Sequence, residues 1–148
     1  MLLPQTAEYA LRAMAYLATL PPGTAVPARD LAEATQIPVH YLSKILRRLV
    51  LEELLWSQKG HGGGFTLSRP PEKIDFISIL RAADFTPTSN RCAFGLGNCD
   101  QNDPCPLHQS WSKLEQAFFD WASQTTLADV RSGHAWPGPR PNALPRRR

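Results

Sequence analysis

"PVHYLSKILRRLVLEELLWSQKGHGGGFTLSRP", residues 38–70, decides the fold. Its first half spaces Leu42, Ile45, Leu46 and Leu49 three, one and three apart, which gathers them on one face of a helix. His40, Ser43, Lys44, Arg47 and Arg48 fall on the opposite face, so one side is core and the other is basic. The second half holds two short strand-like runs, Leu55 to Gln58 and Phe65 to Ser68, around Gly60, Gly62, Gly63 and Gly64. Glycines there supply the positive φ of a tight turn, which predicts a β-hairpin.

Upstream, "VPARDLAEATQIP" predicts a short helix from about Ala28 to Thr35, and Pro38 then suits the first turn of the next helix. That short gap is the spacing of a helix-turn-helix. From Pro4 to Leu20 an amphipathic pattern places Ala10, Ala13, Met14 and Leu17 together, and Pro21-Pro22-Gly23 ends it. Three helices followed by a hairpin make a winged helix. Downstream, "KIDFISILRAAD" (Lys73 to Asp84) predicts a fourth helix, and a loop follows from Phe85 to about Pro106. A long helix is then expected from Leu107 to about Gln124, with Trp111, Leu114, Phe118 and Trp121 at heptad-like intervals. The tail is rich in Pro and Arg without periodicity, a composition expected to be disordered. The expected class is mostly α: a winged helix-turn-helix domain (1–84), a cysteine-rich loop (85–106), a dimerisation helix (107–130) and a tail (131–148).

The chain of 148 residues suits one compact domain, or a small domain with an oligomerisation arm. Its apolar runs are too short to span a bilayer. Glu8 and Arg12 interrupt the stretch where a secretory signal would be apolar, so a cytoplasmic location is expected. A net charge of +3 permits an anionic partner without proving one. The local balance says more: residues 40–70 hold five Lys or Arg against two acids, a local +3.

A helix presenting His40, Tyr41, Ser43, Lys44, Arg47 and Arg48 has the size and donors to enter a DNA major groove. Any solvated amphipathic helix also carries charges, so the hairpin matters: Lys59, Gly60 and His61 at its tip allow close approach to a phosphate or minor groove. The glycines match neither a dinucleotide fingerprint nor a Walker loop, because no Lys-Ser/Thr pair and no helix follow. The bulky stripe Trp111, Leu114, Phe118 and Trp121 needs a covering surface, either its own domain or a second copy. Helix-turn-helix regulators read two half-sites as dimers, which favours the second copy.

All three cysteines lie in "CAFGLGNCDQNDPCPLH", residues 92–108, as C-x6-C-x5-C-x2-H. Cys92, Cys99, Cys105 and His108 make a complete donor set for zinc or for an iron-sulfur cluster. The tight C-x2-C knuckle of structural zinc sites is missing, and wide intervals with Gly95, Gly97, Asn98 and Pro104 favour a cluster. Free thiols or a redox pair are the alternative.

"TAEYALRAMAYLA", "LAEATQIPVHYLSKILRRL", "GHGGGFTLSRPPEKI", the three loop cysteines and a closing "TTLADV" together resemble the Rrf2 family of bacterial winged-helix regulators, over about Met1 to Val130. The resemblance implies a homodimer that reads double-stranded DNA with the third helix and wing. In members with the three cysteines it implies a 2Fe-2S or 4Fe-4S cluster sensing nitric oxide, redox state or iron supply. Cys105 and His108 match the C-x2-H of IscR-like members, although the first cysteine interval here is one of six residues and slightly longer. NsrR-like members take a carboxylate from the partner's first helix, where Glu8 stands in this chain. The expectation is therefore a dimeric regulator acting as a repressor, with His108 ahead of Glu8 as fourth ligand. A zinc or thiol site in the same regulator is the alternative. A small thiol oxidoreductase is less consistent, because C-x-x-C and a βαβ pattern are both missing.

Overall fold

A computed structural model of the chain describes residues 3–87, 91–131 and 136–137. Helix α1, Gln5–Thr19, lies at the centre, with Ala7, Ala10, Ala13, Met14, Leu17 and Ala18 buried. Four of those six are alanines, and their small side chains let α2, α3, α4 and α6 all pack against it. Leu20 leaves the helix in an extended conformation and Gly23 turns the chain at φ +80°. Helix α2, Ala28–Thr35, ends where Gln36 adopts the left-handed conformation (φ 59°) and donates its N–H to the Glu33 carbonyl. Pro38 then caps α3, Val39–Leu51, which buries Leu42, Ile45, Leu46 and Leu49 as the periodicity predicts.

Glu53, at φ 57°, reverses the chain into β1, Leu55–Gln58, which pairs antiparallel with β2, Gly64–Leu67. The register sets Leu55 opposite Leu67 and Gln58 opposite Gly64, one residue upstream of the expected second strand. Gly64 explains the difference. It sits at φ +146° with an imagined Cβ only 2.3 Å from the Val26 backbone, and Phe65 exchanges both backbone hydrogen bonds with Val26 (3.0 and 2.8 Å). The wing is thereby stitched to the segment between α1 and α2, and only glycine fits the seam.

Two other expectations are corrected. The helix predicted over Lys73 to Asp84 is a short 3-10 turn, Pro71–Lys73, and then α4, Phe76–Ala82. The long helix expected from Leu107 to about Gln124 is α5, His108–Gln124, but the dimerisation segment expected over 107–130 also includes a separate α6, Leu127–Arg131. One contact causes both breaks. Ile74 accepts from the Leu127 N–H (3.0 Å), Phe76 donates to the Thr125 carbonyl (2.9 Å), and Asp75 bridges Thr126, so these backbone groups pair across the fold instead of within helices. Asp75 also caps α4 by accepting from the Ser78 N–H at 2.9 Å. Leu127 is fully buried and α6 packs against α1, which returns the chain to the winged domain. Most of the expected tail, and residues 88–90 of the loop, lie outside the described residues. Among the described residues, no helix is long and apolar enough to cross a membrane.

Candidate metal centre and nucleic-acid interface

Among the described residues between α4 and α5, side-chain and glycine turns shape the chain. Cys92 donates its N–H to the Gly97 carbonyl and accepts from Gly95 N–H, both at 2.9 Å, with Gly95 and Gly97 at positive φ. The Asp100 carboxylate accepts from the Asn102 and Asp103 N–H groups (2.7 and 3.0 Å), an Asx turn that folds the chain back. Together these turns converge the Sγ atoms of Cys92, Cys99 and Cys105 to within 4.8 Å of one another.

His108 opens α5, its N–H held by the Cys105 carbonyl at 3.0 Å, and its Nδ1 stands 3.2 Å from Cys99 Sγ. Cys105 N–H donates to the same sulfur at 3.2 Å. A hydrogen bond from the Phe94 backbone N–H holds the Cys92 thiol below its ordinary pKa, and burial pushes the Cys105 thiol up. Cys92 is thus readier to ionise than Cys105. The three thiols and one imidazole fit soft or borderline metal chemistry, and amide hydrogens directed at sulfur are the environment that stabilises thiolate ligands.

The cleft around these groups, about 30 Å³, is also lined by Trp111, Ser112 and Glu115. Ser112 and Glu115 were not expected from the sequence. The signal was their spacing: four and seven residues beyond His108, on the same face of α5. Ser112 Oγ lies 3.5 Å from His108 Nε2. Glu8, on α1, does not belong to this cluster within its own chain.

On α3 the residues His40, Tyr41, Ser43, Lys44, Arg47 and Arg48 are all exposed, as are Lys59, Gly60 and His61 on the wing. They differ in freedom. Arg48 is ion-paired with Asp84, which turns the chain after α4, and Ser43 Oγ donates to the Val39 carbonyl at 2.8 Å. Tyr41 is flanked by His40 (4.2 Å between ring centroids) and Tyr9 (6.5 Å), and Arg12 lies over Tyr9 at 5.3 Å. Among the described residues, Lys44, Arg47 and Lys59 form no ion pair.

The apolar stripe of α5 divides. Phe118 is half-buried against Phe85 (5.8 Å), whereas Trp111, Leu114 and Trp121 stay 36%, 53% and 43% exposed. Trp121 rests edge-on against Phe76 and Phe118, yet keeps one side open.

Residues 3–132 match the Rrf2 family profile, described as an iron-dependent transcriptional regulator. An HTH-type transcriptional regulator of Mycobacterium tuberculosis is 39% identical over 128 residues, covering 86% of this chain and 79% of that protein. The HTH-type transcriptional regulator IscR of Escherichia coli is 29% identical over 123 residues, covering 83% of this chain and 75% of its own length. Among solved structures, CymR, the global cysteine regulator of B. subtilis, superposes with a TM-score of 0.75 at 21% identity, over 88% of this chain and 95% of its own. T. potens IscR gives 0.69 at 23%, over 86% and 84%. The fold is therefore the winged helix of these regulators. The relatives are regulators of transcription and not enzymes. This chain belongs to the Rrf2 family of DNA-binding transcriptional regulators.

Proposed function

We propose that the chain is a cytoplasmic homodimeric repressor whose affinity for a double-stranded DNA operator is set by an iron-sulfur cluster, 2Fe-2S or 4Fe-4S, sensing redox state, nitric oxide or iron supply. Cys92, Cys99, Cys105 and His108 would hold it. The observation that carries this reading is the convergence of three thiols within 4.8 Å beside His108, in a chain whose family is described as iron-dependent. A bound cluster supplies a centre that oxidants or nitric oxide modify and that iron shortage leaves unbuilt.

The chain's own residues make the loop a lever. It runs from the end of α4, in the winged domain, to His108, the first residue of α5. Trp111, Leu114 and Trp121 present an apolar stripe on α5 that suits an isologous contact with a second copy. Ligand residues held together fix the start of α5, and through it the separation of two α3 helices across a dimer; released, they let that separation relax. Lys44, Arg47 and Lys59 supply the phosphate and base contacts, with His40, Tyr41, Ser43, Gly60 and His61 beside them.

Anaerobic purification tests the cluster. The expected sample is brown, contains iron and acid-labile sulfide, and loses its visible absorbance and shifts in operator affinity on Cys99→Ala. A colourless protein with stoichiometric zinc overturns it. The same convergence also accommodates zinc: Zn–S bonds of about 2.3 Å put thiolates about 3.8 Å apart in a tetrahedron, inside the observed limit of 4.8 Å. Sedimentation tests the dimer: Leu114→Glu is expected to yield folded monomers, and an unchanged mass rejects α5 as the interface.

A further inference from the structure

The outer edge of the wing stops one step short of a three-stranded ladder. Ser68 donates its N–H to the Leu54 carbonyl (3.2 Å), so the hydrogen-bonded pairs of β1 and β2 are the alternate ones, Trp56 with Thr66 and Gln58 with Gly64. Phe65 and Leu67, at the intervening positions, direct their backbone N–H and C=O away from β1. Phe65 uses both groups on Val26. Two residues on, the same antiparallel ladder would set Leu67 opposite Thr24, but Thr24 is turned aside. Its N–H and its hydroxyl both donate to the Pro21 carbonyl, at 3.2 and 2.6 Å. Among the described residues, the backbone N–H and C=O of Leu67 have no partner.

A cleft of about 380 Å³ lies where that step is missing, with residues 20–24 along one wall and residues 66–72 along the other. Leu17, Leu20, Pro21 and Pro22 give it an apolar lining. Arg69 and Glu72 also line it, are exposed, and form no ion pair among the described residues. Arg69 reaches only the Glu53 carbonyl, at 3.3 Å.

Each feature narrows the ligand. An open N–H and C=O on one half-buried residue match the amide of another peptide unit, as an added strand does. A cation and an anion three residues apart suit the two charged ends of a zwitterion, whereas a simple anion or cation meets repulsion from one of them. The volume is that of a small-molecule site.

We infer that this cleft binds a short free peptide, a dipeptide or tripeptide with an apolar side chain, whose amide extends the Val26–Phe65 ladder onto Leu67 and whose charged ends meet Arg69 and Glu72. Bound there, it ties β2 to the segment between α1 and α2 and makes the position of the wing responsive to the ligand. The site shares no residue with the cysteine cleft, so its occupation is independent of the cluster.

The test titrates the isotope-labelled full-length chain with the dipeptide alanyl-leucine and follows the backbone amide resonances. Saturable shifts are expected at Thr24, Leu67 and Arg69, with slower exchange of the Leu67 amide hydrogen. Free leucine, which lacks the amide, and N-acetyl-leucine amide, which lacks both charges, are each expected to bind at least about fivefold more weakly. Arg69→Gln and Glu72→Gln are each expected to weaken the dipeptide by about tenfold, within the reach of one charge-assisted hydrogen bond. Both positions are exposed, and unchanged resonances elsewhere confirm that the variants fold. Saturating dipeptide is expected to change affinity for a labelled DNA duplex, read by anisotropy, by at least about threefold. Absence of a saturable shift overturns the site. Equal binding by Arg69→Gln, or by N-acetyl-leucine amide, overturns the zwitterion as its ligand, and a bound dipeptide that leaves duplex affinity unchanged overturns the coupling to the wing. Failure of the DNA-binding reading looks different: the shifts would remain, while the chain without dipeptide would not bind duplex even at low salt.

Discussion

The indole N–H of Trp111 donates to the Arg91 carbonyl at 3.1 Å, joining the third residue after His108 to the residue just before Cys92. The same ring lines the cysteine cleft and forms part of the exposed stripe of α5. One side chain thus touches the cysteine loop, the long helix and the exposed apolar stripe. Trp111→Phe keeps an aromatic body and removes the donor, at a cost of about 1 kcal/mol. Faster amide exchange is expected at residues 91–98, with the rest of α5 unaffected; equal protection of the loop in both proteins contradicts the tether.

The proposed metal site has two candidates for its fourth ligand, His108 and Glu8 of the partner subunit. Since His108 Nδ1 stands 3.2 Å from Cys99 Sγ, His108→Ala is expected to lower retention of bound metal by about 10- to 100-fold. Glu8→Gln is expected to leave it unchanged. Iron or zinc content after dialysis reads both, and the reverse order assigns the position to Glu8 of the partner subunit.

Metal loading is expected to strengthen with rising pH. Burial raises the Cys105 pKa, so its thiol is protonated at neutral pH and must release that proton to ligate. Below the raised pKa each bound ion displaces this proton, and affinity falls as pH falls. Cobalt titration followed by thiolate-to-metal absorbance at pH 6.5 and 8.5 measures the difference; equal affinities contradict it.

The basic residues of α3 are not equivalent. Arg47→Ala and Lys59→Ala are each expected to weaken DNA binding and reduce the salt slope by about 0.9. Arg48→Ala is expected to do less to DNA, because Arg48 already pairs with Asp84, and that exposed pair contributes at most about 1 kcal/mol to stability. Anisotropy and thermal melts of the three variants separate the two roles.

Leu127 tests the return of the chain to its winged domain. It is fully buried, so Leu127→Ala is expected to cost about 2–5 kcal/mol in denaturant unfolding. A cost below 1 kcal/mol would mean that α6 is only loosely docked.

Much of this was legible in local pattern. The four buried leucine and isoleucine positions of α3 and the glycines of the wing announce themselves through period and composition, because burying one helix face and turning a hairpin are short-range demands. The C-x6-C-x5-C-x2-H spacing announced a donor set in the same way. Neither Ser112 nor Glu115 was read from it, since both are ordinary helix-surface residues until the loop folds over them.

What the sequence by itself determined is the set of amphipathic faces, the turn chemistry and the ligands available. Tertiary structure alone decided where the helices stop and which bulky residues remain open. Ile74, Phe76, Thr125 and Leu127 satisfy their backbone groups across about fifty residues of chain, which shortens α4 at its start and separates α6 from α5. Phe118 turns inward on Phe85 while Leu114 stays exposed, although both belong to one heptad-like stripe. The reason is the same in each case: hydrogen-bond partners and packing neighbours distant in sequence compete with local preference, and only the folded chain brings them into reach.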